Sequence, residues 1–341
     1  MLRLASYNVE WFDHLFDDLG QLRDDPGWSG RQDVTRAQQT AALGAVFRAL
    51  DADAVMVIEA PDQNRRRQTV RALETFAARF GLRARAAMIG FPTETQQEIA
   101  LLYDPDRLTA RHDPKGPPTG KKGHRDPPRF DGVYRIDLNN DGIEDLVTWS
   151  KPPLEVAVTT AGGHDLRLIG VHAKSKAPHG ATDDASALRI NIENRHKQLA
   201  QCVWLRARVD QHLAAGQSLI VMGDFNDGPG LDEYEAQFGR SGVEIVMGEN
   251  GGPYLHDPHV RRALKRRFTA PPTTARFTLP DGQVLSALLD YIMISGDLMA
   301  HLPRWHIWHP FDNAACYAVP ALREALVTAS DHFPVTLDIE I

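Results

Sequence analysis

Short runs of β-branched and apolar residues punctuate the chain at Leu2 to Val9, Ala54 to Ile58, Ile99 to Tyr103, Leu154 to Thr159, Leu166 to Val171, Ser218 to Met222, Ala287 to Ile294 and Phe333 to Ile339. Runs of that length, bounded by polar residues, Gly or Pro, predict β-strands. Between several of them the apolar positions recur at helical spacing. That pattern predicts helices at Val34 to Leu50, Arg65 to Phe80 and Ser186 to Ala214, the last carrying Leu188, Ile192, Leu199, Val203 and Leu213. The mixture is α/β, and several strands stop at a polar residue, where sheets of this class tend to place their chemistry.

Two stretches break the pattern. From Asp113 to Pro153 the chain turns to Pro, Gly, Lys and Asp, with Pro117-Pro118, Lys121-Lys122 and Pro127-Pro128, and reads as an extended surface insertion. Gly248 to Leu279 reads as a long irregular loop, and its basic run Arg261 to Arg267 is either a solvated face or a contact for a polyanion. The insertion is not expected to fold alone, and a single domain over residues 1–341 is expected, with an insertion at about 113–153 and a loop at about 248–279.

Composition narrows the classes. Of 341 residues 43% are hydrophobic, enough to bury a sizeable core. The 38 Lys and Arg against 45 Asp and Glu leave a formal charge of -7, which argues against a basic surface that coats nucleic acid irrespective of sequence. It leaves room for an enzyme that grips a few phosphates around a divalent cation. Cys202 and Cys316 lack the spacing of a zinc site or a disulfide framework and read as buried thiols of a reducing compartment. No apolar run approaches the roughly 20 residues of a membrane span. The first residues enter a strand pattern directly, without an export signal, so a cytoplasmic monomer is expected.

The candidate chemistry sits at strand ends. Val221-Met222-Gly223-Asp224-Phe225-Asn226-Asp227 is a strand that stops at Gly, and strand alternation would set Asp224 and Asn226 on one face, able to hold a water between carboxylate and amide. An Asx-rich turn is the plainer reading. Ser330-Asp331-His332 opens the last strand with a carboxylate and an imidazole that can serve different partners, for instance a metal and a phosphate. Asp290 is the one acid in Leu288 to Ile294, and a buried carboxylate needs a partner, for which His332 is the candidate. His172 ends a strand and is followed by Lys174, Ser175 and Lys176, a set suited to a phosphate. Asn8 and Glu10 end the first strand, and Glu59 comes straight off the apolar run Ala54 to Ile58. Acids so placed are natural hard-cation ligands.

Taken in order, Asn8, Glu59, His172, Gly223-Asp224-Phe225-Asn226, Asp290 and Ser330-Asp331-His332 resemble the motif set of the endonuclease/exonuclease/phosphatase superfamily. That group includes pancreatic deoxyribonuclease, exonuclease III-type abasic-site endonucleases, sphingomyelinases, inositol polyphosphate 5-phosphatases and deadenylases. The resemblance implies a four-layer α/β sandwich, two packed mixed β-sheets flanked by helices. It implies Glu59 as the principal ligand of Mg²⁺ or Mn²⁺, with Asn8 beside it and Asp331 contributing to the same or a second metal position. Asp224 and Asn226 would position and activate water, while His172 and an Asp290-oriented His332 would contact the scissile phosphate. Two departures stand out: Ile58 precedes the metal Glu where the family usually has Gln, and Glu98 lies about one residue from the position of a Glu that orients the first His. The Trp-Cys-Asp-Arg element of the inositol phosphatases is missing.

The implied activity is divalent-metal-dependent hydrolysis of a phosphodiester, with DNA or RNA as the leading substrate class. A small-molecule or lipid-headgroup phosphoesterase of the same superfamily is the alternative, and a non-catalytic binding module is disfavoured because each polar position that hydrolysis needs is filled. Inside the insertion, Asp137, Asn139, Asp141 and Asp145 alternate around Gly142 like the start of a calcium loop, without the flanking helices of an EF-hand. Bound Ca²⁺ and a plain Gly-Asp-Asn turn both fit that stretch.

Overall fold

A strand covered on both faces reads as a continuous apolar run, and Leu2–Asn8 (β1) is buried at every position but Arg3. The computed structural model describes all residues except Glu94, 139–141, His179, 231–238, Asn250, 266–270 and 279–281. In it β1 lies inside a six-stranded sheet ordered Arg304–Ile307 (β15), Val335–Ile339 (β16), β1, Ala54–Ala60 (β2), Glu98–Tyr103 (β4) and Ala86–Ile89 (β3). A second six-stranded sheet runs Leu255–His256 (β11), Asp290–Ser295 (β14), Leu219–Asp224 (β10), Asp165–His172 (β9), Leu154–Thr160 (β8) and Leu108–His112 (β5). Both sheets are mixed: β1 and β2 are parallel in the first, β9 and β10 in the second, and the other pairings are antiparallel.

The sheets pack face to face through Leu4, Met56, Ile58 and Leu101 of one and Val156, Leu168, Met222 and Ile292 of the other. Alternate residues point outward to helices. Arg36–Leu50 (α1), Thr69–Phe80 (α2) and Pro320–Ala329 (α7), which follows the short Ala314–Tyr317 (α6), cover the first sheet through Val46, Phe76 and Leu326. Asp184–Ala214 (α3), Gly242–Met247 (α4) and Pro258–Leu264 (α5) cover the second through Trp204, Leu205, Val246 and Val260. The architecture is the expected four-layer α/β sandwich. No helix among the described residues is long and apolar enough to cross a membrane.

Several local expectations change. The strand expected over Ala287 to Ile294 is two: Val284–Ala287 (β13), paired with Ala275–Thr278 (β12), and β14 from Asp290. The break falls where Thr274 Oγ1 accepts the amides of Leu289 and Asp290, at 3.0 Å each. Leu188 and Ile192, expected on an apolar face, are exposed, because the first turns of α3 run beyond the sheet. The 113–153 stretch is more than surface. It carries the ribbon Tyr134–Ile136 (β6) with Asp145–Val147 (β7), and Phe130, Tyr134, Val147 and Trp149 pack with Trp204 of α3. The 248–279 stretch likewise holds β11, α5 and β12, while Arg266 and Arg267 of its basic run lie outside the described residues. Cys202 and Cys316 are free and buried, as expected.

The two parallel pairs decide where chemistry can sit. They bring the C-terminal ends of β1, β2, β9 and β10 to one pole, and antiparallel pairing brings the starts of β4, β8, β14 and β16 to the same pole.

Candidate active site

Each strand end at that pole delivers a polar side chain. Asn8 leaves β1 and donates from Nδ2 to Asp224 Oδ2 at 3.1 Å, joining the two sheets. Asp224 ends β10 beside Asp290, its cross-strand partner in β14. Asn226 does not share a strand face with Asp224. The strand ends first, Asn226 adopts φ 49°, and it turns back, so that its amide N donates to Asp224 Oδ1 at 2.8 Å and its Nδ2 to Oδ2 at 3.3 Å. Asp224 is thus held by two side-chain amides, and burial pushes its carboxyl up to about 6 even though His332 pulls it down.

His332 stands just before β16, with its amide held by Ser330 Oγ at 3.0 Å. The partner expected from the sequence is in place: His332 Nδ1 meets Asp290 Oδ2 at 2.8 Å, and Nε2 faces Asp224 Oδ2 at 4.0 Å and Asp331 Oδ1 at 3.9 Å. Burial would lower this imidazole, but Asp290 and Asp224 on either side outweigh it and hold His332 well above its usual range. Among the described residues, Asp224, Asp290 and His332 form a buried cluster with side-chain atoms within 4.8 Å of one another, a set that could hold a metal ion. His172, at the end of β9, is the opposite case. Burial first, and then Lys151 and His332, hold it well below the usual value, which favours its neutral form. Its Nε2 lies 3.7 Å from Asp224 Oδ2 and 4.0 Å from Glu59 Oε1.

Glu59 leaves β2 with φ 62°, and its Oε2 accepts the Trp11 amide at 2.9 Å. Glu10 is engaged otherwise: its carboxylate takes the Arg31 guanidinium and the Asp331 amide, the latter at 2.8 Å. Burial, and then the neighbouring Asp331, push Glu10 up to about 7; Asp331 is raised for the same first reason. Glu10, Trp11, Glu59 and Asn226 all have left-handed backbone, which is uncommon outside glycine and gathers here at one pole.

Other expected residues are further from this centre. Lys174 is fastened by its backbone, donating to Gln201 Oε1 at 2.9 Å and accepting from Gln198 Nε2 at 2.9 Å. Ser175 Oγ caps the Ala177 amide at 3.2 Å, and Lys176 pairs with buried Asp227. Asp137 Oδ2 accepts the Gly142 amide at 2.9 Å, as in a plain turn, and Asp145 is exposed at the start of β7. Asn139 and Asp141 lie outside the described residues. Glu98, rather than reaching a histidine, accepts the amides of Gln63 at 3.3 Å and Thr93 at 3.1 Å.

One central side chain escaped the sequence reading. Lys151 Nζ lies 3.1 and 3.0 Å from the two ring nitrogens of His172, over the ring, and donates to Gln97 Oε1 at 2.8 Å. Burial lowers it to about 8, against the pull of Glu59 and Asp224. The signal was one of register. Lys151 precedes β8 and Gln97 precedes β4, each antiparallel to a strand that ends in a site residue.

The constellation joins an imidazolium braced by a carboxylate, a second carboxylate held by two amides, a buried ammonium over a neutral imidazole, and acids grouped at the end of the first sheet. It can accept a proton from water, present positive charge to a phosphate and hold a hard cation. The model of the Endonuclease/Exonuclease/phosphatase family matches residues 5–332. Among solved structures, an AP endonuclease from Archaeoglobus fulgidus superposes with a TM-score of 0.53 at 11% identity, covering 100% of both chains. TDP2 from C. elegans superposes with a TM-score of 0.51 at 15% identity, covering 100% of this chain and 75% of that one. These likenesses concern the fold. No curated protein matches the chain in sequence.

Proposed function

The chain belongs to the endonuclease/exonuclease/phosphatase family and is a hydrolase of phosphoester bonds, and on that premise we propose that it cleaves phosphodiesters with a divalent cation, polynucleotides being the leading substrate class. The observation that carries the reading is the alignment Asp290, His332, Asp224 at the pole where both sheets end, with Asn8 and Asn226 holding Asp224. Asp224 takes the proton of the attacking water, which Asn226 orients. His332, kept cationic by Asp290, faces a nonbridging oxygen, and the Lys151 ammonium over neutral His172 adds positive charge to the phosphate.

The donors suit a hard cation. Glu10, Asp331 and Glu59 are all-oxygen ligands; burial raises Glu10 and Asp331, Asp331 adds to the rise of Glu10 and Glu59 to that of Asp331, and a divalent ion would relieve that. Because Glu10 is spent on Arg31, Glu59 and Asp331 would hold it, with Asn8 beside them. Mg²⁺ or Mn²⁺ there would supply neutralisation of charge on the phosphate. The net charge of -7 favours a second reading, a small or lipid-headgroup phosphoester.

A substrate panel with Mg²⁺ tests both: single-stranded DNA, plasmid, RNA and bis-p-nitrophenyl phosphate, with and without EDTA, for the parent and Glu59→Gln. EDTA-sensitive cleavage of a polynucleotide, lost in the variant, is expected. Turnover of the small ester with every polynucleotide refused would shift the reading to the second class, and hydrolysis indifferent to chelation and to Glu59→Gln would remove the metal.

A further inference from the structure

Two aromatic residues flank the polar cluster, Trp11 tied to it through its own backbone amide and Phe277 through the strand that carries it. On one flank the Trp11 amide donates to Glu59 Oε2 at 2.9 Å. The indole is 38% exposed, rests on the His14 ring at 5.5 Å, and is closed in from behind by Gly30, where a Cβ would come within 2.4 Å of Trp11 Cβ. Two successive non-glycine residues, Glu10 and Trp11, take left-handed backbone to present it, a strained arrangement for a bulky side chain. On the other flank the half-buried Phe277 ring stands edge-on to His332 at 5.7 Å. Its strand, β12, is sewn to the site: Arg276 N donates to Asp331 O at 2.7 Å and Ala275 bridges to His332. Arg276 lies over the exposed Phe311 ring at 5.0 Å.

We propose that Trp11 and Phe277 are stacking surfaces for the bases on either side of the scissile phosphate, so that an unpaired polynucleotide strand is the substrate in preference to a duplex or a base-free diester. This rests on the phosphodiesterase reading above. The order of the cluster sets the geometry: Glu59, His172, Asp224 and His332 follow one another at 3.7 to 4.0 Å, with Trp11 beyond the first and Phe277 beyond the last. A phosphate seated among the four has an aromatic ring beyond each end of the row, and these rings would supply the stacking faces. Such faces act on any base, but only on a base whose own face is free, which a duplex does not offer.

The test is binding of an 8-mer single strand carrying 2-aminopurine, read by fluorescence quenching with the metal withheld, against the same sequence as a duplex and an 8-mer of abasic residues. The single strand should be quenched and bind at least about tenfold more tightly than either comparison. Trp11→Leu and Phe277→Leu should each weaken single-strand binding by about tenfold, and Trp11→Phe should restore most of it. Equal binding of the abasic strand, or leucine variants that bind like the parent, would overturn the proposal. Hydrolysis of bis-p-nitrophenyl phosphate with Mg²⁺ reports the underlying reading separately. Turnover of that ester without base-dependent binding refutes the stacking surfaces alone, and loss of both refutes the phosphodiesterase reading with them.

Discussion

His332 Nδ1 and Asp290 Oδ2 meet at 2.8 Å although 42 positions separate them, and no strand pairing joins their elements; the contact is made side chain to side chain across the pole. Asp290→Asn keeps the shape and removes the charge that holds the imidazole cationic. Turnover should fall by about 2 to 4 kcal/mol in barrier terms, with little change in melting temperature. Because Asp290 raises His332, its loss lowers that imidazole, so the cationic form, and activity with it, is lost at lower pH as pH rises. Profiles of kcat/KM against pH for parent and variant check this; parental turnover with an unmoved alkaline limb would remove His332 from the charge-bearing role.

Lys151 places its ammonium against both nitrogens of His172. Lys151→Met should lower kcat/KM about a hundredfold, in line with loss of one electrostatic donor, while Lys151→Arg keeps the charge and loses less. Equal losses in the two variants would mean that shape, not charge, is what the site needs there.

Gly223 has φ 144°, and a Cβ there would stand 2.0 Å from Val171 O on the neighbouring strand. Gly223→Ala should cost about 2 to 4 kcal/mol in urea unfolding, from backbone strain and the forced separation of β9 and β10. Since Asp224 and His172 are paired one residue further on, activity should fall as well. An unfolding free energy within about 0.5 kcal/mol of the parent's would contradict the close approach.

Arg208 is wholly buried. It donates to Glu155 Oε1 at 2.7 Å, Lys115 O at 2.7 Å and Pro128 O at 2.8 Å, holding the 113–153 stretch against α3. Arg208→Met leaves Glu155 buried without its guanidinium, held only by the Lys115 amide at 3.1 Å and His212 Nε2 at 3.8 Å, at a cost of about 3 kcal/mol, and should open residues 115–128 to limited proteolysis. The double change with Glu155→Leu should recover part of the loss. A single variant as protease-resistant as the parent would show that the stretch is held by its aromatic residues instead.

What the sequence shows of this molecule follows burial. β1, β2, β9 and β10 are covered on both faces and so announce themselves as apolar runs ending in a polar residue, which is why Asn8, Glu59, His172 and Asp224 could be picked out. β5 and β15 lie at sheet edges, and their apolar residues are interrupted by polar ones, while β3, also at an edge, is an apolar run of only four residues. Helix α7 begins at Pro320, and its apolar positions, Leu322, Ala325, Leu326 and Ala329 among them, span fewer than three turns, too short a stretch to establish a helical period. Lys151 was silent for a different reason, since its place depends on which strand its neighbour pairs with. The face of Asn226 was misjudged because alternation holds only while the strand lasts.

The left-handed residues Glu10, Trp11, Glu59 and Asn226 carry a further consequence for how the molecule responds to selection. Each is held in a conformation that costs an L-residue about 1 kcal/mol or more, and glycine would relieve it at once. Under the proposed chemistry, selection for heat resistance alone therefore has an easy route through these four positions, and it would dismantle the candidate site. Selection that also demands turnover would leave them strained and find its gains elsewhere, in the helical layers. On that reading, robustness and activity trade against each other at four identifiable positions.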